Sequence, residues 1–119
     1  MTVQEKGRWG EQAAAAYLRR KGYRIVARNF RARCGEIDLI AEDKRFLVFV
    51  EVKLRQDARF AAAREFVTWS KQQKLMRTAH CWLAEHPSEK QPRFDVVEVY
   101  GAEGNVAQIC HLEGAFEEG

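Results

Sequence analysis

The stretch from Gly35 to Lys53, GEIDLIAEDKRFLVFVEVK, contains two strand-like runs joined by a short polar turn. In the second run, positions 46, 48, 50 and 52 fall on one face by the period of two of a strand, and positions 47, 49, 51 and 53 fall on the other. Because the first half of this run is apolar on both faces, it is typical of a central strand that is covered on both sides. The chain is therefore expected to build a sheet around this strand.

Three charged side chains interrupt that apolar pattern, namely Asp38 in the first run and Glu51 and Lys53 in the second. Strict alternation places the even positions from 36 to 40 on one face and the odd positions from 37 to 41 on the other. If the two runs pair through the turn, Asp38 and Glu51 meet on one face, where two carboxylates repel each other unless a cation lies between them. Oxygen ligands suit Mg²⁺ or Mn²⁺. Lys53 would point at the same place, where it can orient a water or offset developing charge.

The same residues also allow a simpler interpretation, an ion pair of Lys53 with Asp38 or Glu51 on a solvated sheet face. An acid followed at a distance by Glu-x-Lys is a short and permissive pattern. The pattern alone therefore does not separate a metal site from an ion pair.

A third acid lies in a predicted first helix that runs from Val3 to Lys21, is rich in strong helix formers and stops at Gly22. An acid that faces inward needs a partner or a metal, so Glu11 is a further candidate ligand. The alternative is an ion pair of Glu11 with Arg8 or Arg19. The predicted apolar stripe that includes Glu11 consists of Gly7, Ala14, Ala15 and Leu18.

A second helix is predicted to start at Ser70, which forms a capping box with Gln73. Its inner face includes Gln72, which is expected to point toward the core, followed by Leu75, Ala79 and Leu83. The segment 55–69 before it lacks a clear period and is predicted to be a flap or a dimerising arm. The predicted strands are Arg24–Asn29, Glu36–Ala41, Arg45–Leu54, Phe94–Tyr100 and Gln108–Leu112.

The length of 119 residues predicts one compact domain, residues 1–119. No apolar run is long enough to cross a membrane and no signal peptide is recognised, so we expect no membrane association. Cys34, Cys81 and Cys110 are odd in number and widely spaced, which favours buried or inert thiols in a reducing cytoplasm. A zinc site built from Cys110, His111 and His80 fits no zinc spacing template.

The net charge is +3, but the charged residues are unevenly distributed along the chain. Residues 1–33 carry nine Lys or Arg against two acids and residues 53–77 carry seven against two, whereas residues 34–52 and 78–119 are acidic. Basic segments that flank an acidic strand pair are the layout of a metal site within a cationic, phosphate-binding rim. The run from Arg28 to Arg33 is a candidate contact to a nucleic-acid backbone, although a solvated strand end is an equal alternative for each arginine.

The segment from Gly7 to Arg55, GRWGEQAAAAYLRRKGYRIVARNFRARCGEIDLIAEDKRFLVFVEVKLR, resembles the bacterial YraN-like family of small proteins of unknown function. The resemblance continues through SKQQKL, RFDVV and HLEGAF, so it covers nearly the whole chain, and GEIDLI followed by FVEVK is its most specific part. It implies a restriction-endonuclease-like fold that is similar in layout to the archaeal Holliday-junction resolvases.

The resemblance also implies roles for individual residues. Asp38 and Glu51 match the metal-binding acids of such nucleases, and Lys53 completes the Glu-x-Lys motif. Glu11 matches the helical acid of junction resolvases. Related nucleases often place a glutamine or lysine of the following helix in the active site, which points to Gln72.

We therefore predict an α/β fold with a restriction-endonuclease-like core, in which a central mixed β-sheet is flanked by α-helices. The predicted function is a metal-dependent endonuclease acting on DNA phosphodiesters, with branched DNA as a candidate substrate and Mg²⁺ or Mn²⁺ as the cofactor. A catalytically inactive nucleic-acid-binding module is one alternative, because Ile37 replaces the proline that often precedes the first acid. A protein-interaction domain is another, to which the acidic tail points. Symmetric cuts in two strands would favour a homodimer.

Overall fold

The computed structural model describes residues 3–55, 67–102 and 105–117, with side chains from residue 7 onward. The order of elements is the predicted one: a helix, three strands, a second helix and two strands. Their bounds are α1 Val3–Arg20, β1 Arg24–Ala32, β2 Gly35–Glu42, β3 Phe46–Arg55, α2 Trp69–Glu85, β4 Gln91–Ala102 and β5 Asn105–Phe116. In these parts of the chain, the helices are too short or too polar to cross a membrane.

The five strands form one sheet in the order β1-β2-β3-β4-β5. Neighbouring strands are antiparallel except β3 and β4, which are parallel. A parallel pair needs a crossover connection, and the connection between β3 and β4 contains α2. The predicted α/β fold with a mixed sheet flanked by helices is confirmed, and the architecture is consistent with a restriction-endonuclease-like core.

Separate apolar clusters cover the two faces of the sheet. Val48 and Val50 of β3 belong to the cluster that contains Leu18 of α1. Leu47 and Phe49 belong to the opposite cluster, which contains residues of α2. The prediction that β3 is covered on both sides is therefore confirmed, and its alternation places Glu51 and Lys53 on the face of α2.

Strand β2 departs from the predicted alternation at Asp38. Leu39 lies on the face of α1, as an odd position should, but Ile37 packs in the α2-side cluster together with Ile40. The pairing of β2 with β3 ends at Leu39 and Val50, and before that point β2 is paired with β1 alone. The expectation that odd positions 37–41 share a face was wrong for Ile37, and the irregularity falls at a candidate ligand.

Several element bounds also differ from the prediction. Helix α2 is capped by Thr68, whose backbone is extended (φ −65°, ψ 158°) and whose side-chain oxygen accepts a hydrogen bond from Lys71 N at 3.2 Å. Ser70 is already helical, so it cannot act as the predicted cap. Strand β5 is twelve residues long and extends well beyond Gln108–Leu112. Of the predicted flap or arm, residues 56–66 lie outside the described residues.

The three thiols are not buried. Cys34, Cys81 and Cys110 are all partly exposed, and the sulfur atoms of Cys34 and Cys81 lie 3.4 Å apart. The two cysteines are distant in sequence but are brought together where the turn between β1 and β2 meets α2. Within the described ranges no group of three or more His, Cys, Asp or Glu side chains is arranged to hold a metal ion, which leaves the zinc alternative without support.

Candidate active site

Glu51 is the buried acid of the candidate site, with 8% of its surface exposed. Its Oε1 atom lies 3.7 Å from Nζ of Lys53 on the same strand face and 3.6 Å from Nζ of Lys71 in the first turn of α2. Both distances are longer than a hydrogen bond. Glu51 is therefore held in the field of two ammonium groups, both of which keep access to solvent.

Asp38 is half-buried where β2 separates from β3, and its Oδ2 atom accepts a hydrogen bond from Val52 N at 2.8 Å. Burial and the charge of Glu51 raise the pKa of Asp38 to about 7, with smaller contributions from the charges of Glu11 and Glu36. The Val52 bond opposes this shift without cancelling it. The loss of regular pairing thus leaves a backbone N–H that fixes the Asp38 carboxylate close to a second acid.

Glu11 is half-buried at the edge of the apolar stripe of α1 rather than within it. It lines a surface cleft together with residues of α1, β1 and β2, among them Arg31 and Glu36. Its charge contributes to the raised pKa of Asp38. Of the two glycines beside it, Gly10 is buried against Leu54 and Val52, whereas Gly7 is exposed with open space around it.

Gln72 is half-buried, and its Nε2 atom donates a hydrogen bond to the carbonyl oxygen of Val67 at 2.9 Å. It borders a cleft of about 430 Å³ whose walls also include Lys53, Glu98 and His111. Gln72 was predicted to point toward the core, and in the structure it lies half-buried on the wall of this cleft. The bond to Val67 ties the chain before α2 to the first turn of the helix.

The structure adds two charged residues to the site that the sequence analysis did not single out. Lys71 precedes Gln72 on α2, and only the packing of α2 on β3 brings it to Glu51. Glu98 of β4 is 1% exposed, is the lateral neighbour of Lys53 in the parallel ladder and forms an ion pair with Arg55 at 3.5 Å. A buried acid in an otherwise apolar strand is a sequence signal that would have marked Glu98.

The predicted basic contact from Arg28 to Arg33 is divided between solvent and core. Arg28, Arg31 and Arg33 are exposed, and Arg31 forms an ion pair with Glu36 at 3.2 Å. Phe30 packs edge-to-face on Trp82 with 5.2 Å between ring centroids, so it is a core residue. The arginines remain a cationic edge of the sheet, but the aromatic ring between them is not presented to a ligand.

A second polar network lies on the α1 face of the sheet, around Asp95 of β4. This carboxylate is 1% exposed and accepts hydrogen bonds from Arg93, His111 and the backbone N–H of Gly114. Although burial opposes them, these donors lower the pKa of Asp95. Tyr23 and Tyr17 complete the network, which bonds α1 and β5 to β4 and has a structural role.

A family model described as "Uncharacterised protein family UPF0102" matches residues 10–99 of the chain. The chain belongs to this family. It is similar to the UPF0102 protein of Syntrophotalea carbinolica, with 46% identity over 112 residues that cover 93% of this chain and 90% of that protein. It is also similar to UPF0102 protein STH1475 of Symbiobacterium thermophilum, with 57% identity over 94 residues, 78% of this chain and 80% of that one. A UPF0102 protein of Caldicellulosiruptor bescii is 40% identical over 119 residues, which cover 98% of this chain and all of the relative.

The range matched by the UPF0102 model, residues 10–99, includes the candidate site. It contains all five candidate residues and Lys71, which lie between Glu11 and Gln72. It also contains Asp95 but ends before His111 and Gly114, which complete the second polar network from β5. The candidate site is thus built entirely from the part of the chain that the family model covers.

Proposed function

We propose that this UPF0102 protein is a metal-dependent endonuclease that cuts DNA phosphodiesters, with branched DNA as the favoured substrate class. The observation that carries the proposal is the environment of Glu51. Glu51 is a buried carboxylate next to Asp38, with two lysine ammonium groups within 3.7 Å. The desolvation of these charges is unfavourable, which is expected where a site binds charged ligands. A divalent cation would offset the negative charge of the two carboxylates, and a phosphodiester would offset the positive charge of the two lysines.

The donor chemistry fits Mg²⁺ or Mn²⁺. Asp38 and Glu51 offer carboxylate oxygens. Burial together with the charge of Glu51 raises the pKa of Asp38 to about 7, and a cation would relieve the repulsion between the two acids. The described residues contain no third acid close enough to complete a protein cage. Mg²⁺ typically keeps several waters and takes one or two carboxylates plus substrate phosphate, so Asp38 and Glu51 would hold it directly and Glu11 through water. When bound, such an ion lowers the pKa of a coordinated water and offsets charge on the phosphate.

The other residues of the site have separate roles in binding the phosphate and in positioning α2. Lys53 and Lys71 approach Glu51 from β3 and α2, so they supply positive charge from two directions to a phosphate placed beside that acid. Gln72 is fixed by its bond to Val67 and orients the first turn of α2. The exposed arginines of β1 provide sequence-independent contacts to the phosphate backbone.

A cleavage panel tests the proposal. Linear duplex, single-stranded, flapped and four-way DNA, with matched RNAs, are incubated with Mg²⁺, Mn²⁺ or EDTA. We expect cleavage only with a divalent ion, and at least about a hundredfold loss of rate for Asp38→Asn, Glu51→Gln and Lys53→Ala. Glu89→Gln is the matched control, because Glu89 is exposed and does not line the cleft beside Lys53 and Gln72.

Metal binding is measured in parallel by the melting temperature, which should rise with Mn²⁺ or Mg²⁺ in the wild type and in Lys53→Ala but not in Asp38→Asn. A wild-type protein with no metal-linked stabilisation and no cleavage of any substrate would overturn the endonuclease proposal. If such a protein still bound DNA, it would be a nucleic-acid-binding module on the same fold.

A further inference from the structure

The thiols of Cys34 and Cys81 form a pair that the proposed function does not use. Cys34 lies in the turn between β1 and β2, and Cys81 lies in α2, 47 positions further along the chain. Their sulfur atoms are 3.4 Å apart and both residues are partly exposed. Two thiols in contact and within reach of solvent are the arrangement required for a reversible disulfide.

The close approach of the turn to α2 has an identifiable cause at Gly35. A Cβ atom at this position would lie 2.9 Å from the hydroxyl oxygen of Thr78 and 3.9 Å from the carbonyl oxygen of Lys74, so a larger residue would require the Thr78 side chain or the turn to shift. Phe30 packs on Trp82 on the same side of the helix and holds β1 against α2. The pairing of the two thiols is therefore fixed by packing around them.

The two sulfur atoms are not chemically equivalent. The hydroxyl of Thr78, which donates to the carbonyl oxygen of Lys74 at 2.7 Å, lies 3.7 Å from Cys34 Sγ, and the thiol of Cys81 is a hydrogen-bond partner of Cys34 at 3.4 Å. Together with the charge of Arg77, they lower the pKa of the Cys34 thiol. Hydrogen bonding to Cys34 raises the pKa of the Cys81 thiol. Since the thiolate is the nucleophile, Cys34 is the residue expected to react first.

We propose that Cys34 and Cys81 are a dithiol site for hydroperoxides, in which Cys34 is oxidised first and Cys81 resolves it to a disulfide. The Cys34 thiolate attacks one peroxide oxygen and breaks the O–O bond, which gives the sulfenic acid of Cys34 and, after protonation of the leaving oxygen, water. The Cys81 sulfur then attacks the sulfenic sulfur, the S–S bond forms and a second water leaves. Overall, two thiols and one hydrogen peroxide give one disulfide and two waters, so the sulfurs lose two electrons and the peroxide gains them.

The geometry requires little movement for this reaction. A disulfide bond is about 2.05 Å long, so sulfur atoms at 3.4 Å must approach by roughly 1.4 Å. The bond would join the turn that leads into β2 and Asp38 to the helix that carries Lys71 and Gln72. It would cross-link two elements that contribute to the candidate site, and the cross-link itself does not depend on the proposed function.

The test uses the full-length protein and hydrogen peroxide at a few molar equivalents, with remaining thiols alkylated and located by peptide mass spectrometry. We expect a monomer that has lost two hydrogen atoms, with Cys110 as the remaining alkylated thiol. Its melting temperature should rise by about 10 °C and return on reduction with dithiothreitol. Cys110 lies on β5, at the opposite edge of the sheet from β1, and serves as the internal reference.

Single variants separate the roles of the two thiols. Cys81→Ser should accumulate a sulfenic acid at Cys34 that dimedone traps, Cys34→Ser should not, and Cys110→Ser should behave as the wild type. Cys34 should react at least about tenfold faster than Cys110 at pH 7. Equal reactivity of all three thiols, or disulfide-linked dimers in place of the intramolecular bond, would overturn the proposal. Cleavage assays on the oxidised protein are separate, so a failure of the endonuclease proposal would leave this result intact.

Discussion

At the residue scale, the negative charge of Asp38 is unfavourable for the metal-free fold. Burial and the charge of Glu51 raise its pKa to about 7, well above that of an aspartate in an unfolded chain. The folded state therefore holds this proton more tightly than the unfolded state does between about pH 4 and pH 7. The contribution of Asp38 to stability is greatest below pH 4 and falls as the pH rises toward 7.

Asp38→Asn should stabilise the metal-free protein by about 2 kcal/mol at pH 8, roughly half of the full value of a three-unit shift because solvent screens a half-buried group. The gain should vanish near pH 4, where both side chains are neutral. The measurement is urea unfolding in EDTA at the two pH values.

Asp43→Asn is the matched control for this change. Backbone N–H bonds from Phe46 and Arg45 outweigh burial and lower the pKa of Asp43. Removing that charge should leave stability unchanged or lower it by under about 1 kcal/mol at pH 8. A variant Asp38→Asn that was less stable than the wild type at pH 8 would contradict the environment described for Asp38.

Asp95 is the opposite case, a buried carboxylate whose donors more than compensate for its burial. Asp95→Asn should destabilise the protein by about 3 kcal/mol, because it leaves the guanidinium of Arg93 largely buried without its counter-charge. The comparison is Glu113→Gln, which breaks a half-exposed ion pair and should cost under about 0.5 kcal/mol in the same urea titration. A loss below about 1 kcal/mol for Asp95→Asn would show that the network is not a structural centre.

At the scale of elements, the hairpin of β4 and β5 depends on two glycines that allow the strands to deviate from regular pairing. Gly114 has a φ of 56°, and this conformation turns its N–H toward Asp95. At Gly101 the register of the two strands shifts, and the backbone of Asn105 approaches closely. These local deviations bring His111 and Gly114 to Asp95 at the same time, so the hairpin geometry and the polar network are coupled.

Gly101→Ala should destabilise the protein by about 2 to 3 kcal/mol, because the new Cβ would lie 2.2 Å from the carbonyl oxygen of Asn105 and the obstacle is backbone. Gly10→Ala makes the same chemical change in α1, where the new Cβ would be in ordinary contact with Leu54 at 3.7 Å. This control should be neutral or more stable by up to about 1 kcal/mol, since alanine favours the helix. Thermal unfolding of both variants side by side measures the difference, and equal effects would contradict the close approach at Gly101.

At the scale of the whole molecule, charge is separated in space as well as in sequence. The exposed arginines of β1 lie at one edge of the sheet, and Lys53 and Lys71 lie beside Glu51 near the end of β3. The turn between β2 and β3 lies at the start of β3, at the other end of that strand from Lys53. A nucleic acid bound at the candidate site would therefore contact the exposed arginines of β1, Lys53 and Lys71, and it would not contact the turn between β2 and β3.

Replacing both Arg28 and Arg33 by glutamate should weaken binding of duplex DNA at least about tenfold at 0.1 M salt, regardless of sequence. It should also reduce the slope of log affinity against log salt by up to about 0.9 for each lost phosphate contact. Lys44→Glu reverses an exposed charge in the turn between β2 and β3 and is expected to change the slope little. Fluorescence anisotropy between 50 and 300 mM salt is the measurement, and a salt-independent affinity would exclude the arginines as a phosphate-binding surface.

The order of elements, the double covering of β3 and the face of Glu51 and Lys53 were determined by the sequence alone. Periodicity is a local property, and the apolar residues of β3 and Ala14, Ala15 and Leu18 of α1 follow it, so tertiary contacts had nothing to override there. The predicted start of α2 was wrong because two nearby residues both carry a helix-capping signal. Ser70 satisfies a capping pattern, but Thr68 precedes it with the extended backbone that a cap requires.

Only the tertiary structure decided which distant residues meet. Lys71 reaches Glu51, and Cys34 reaches Cys81, because α2 packs on β2 and β1 on the face that carries Glu51, and sequence separation carries no information about such contacts. The place of Ile37 was likewise decided by the folded chain, in which it pairs with Phe30 of β1 and packs with it on the α2 side, and a period of two does not anticipate this. Side-chain type and spacing selected the candidate acids, and packing determined their burial, their neighbours and the pKa of Asp38.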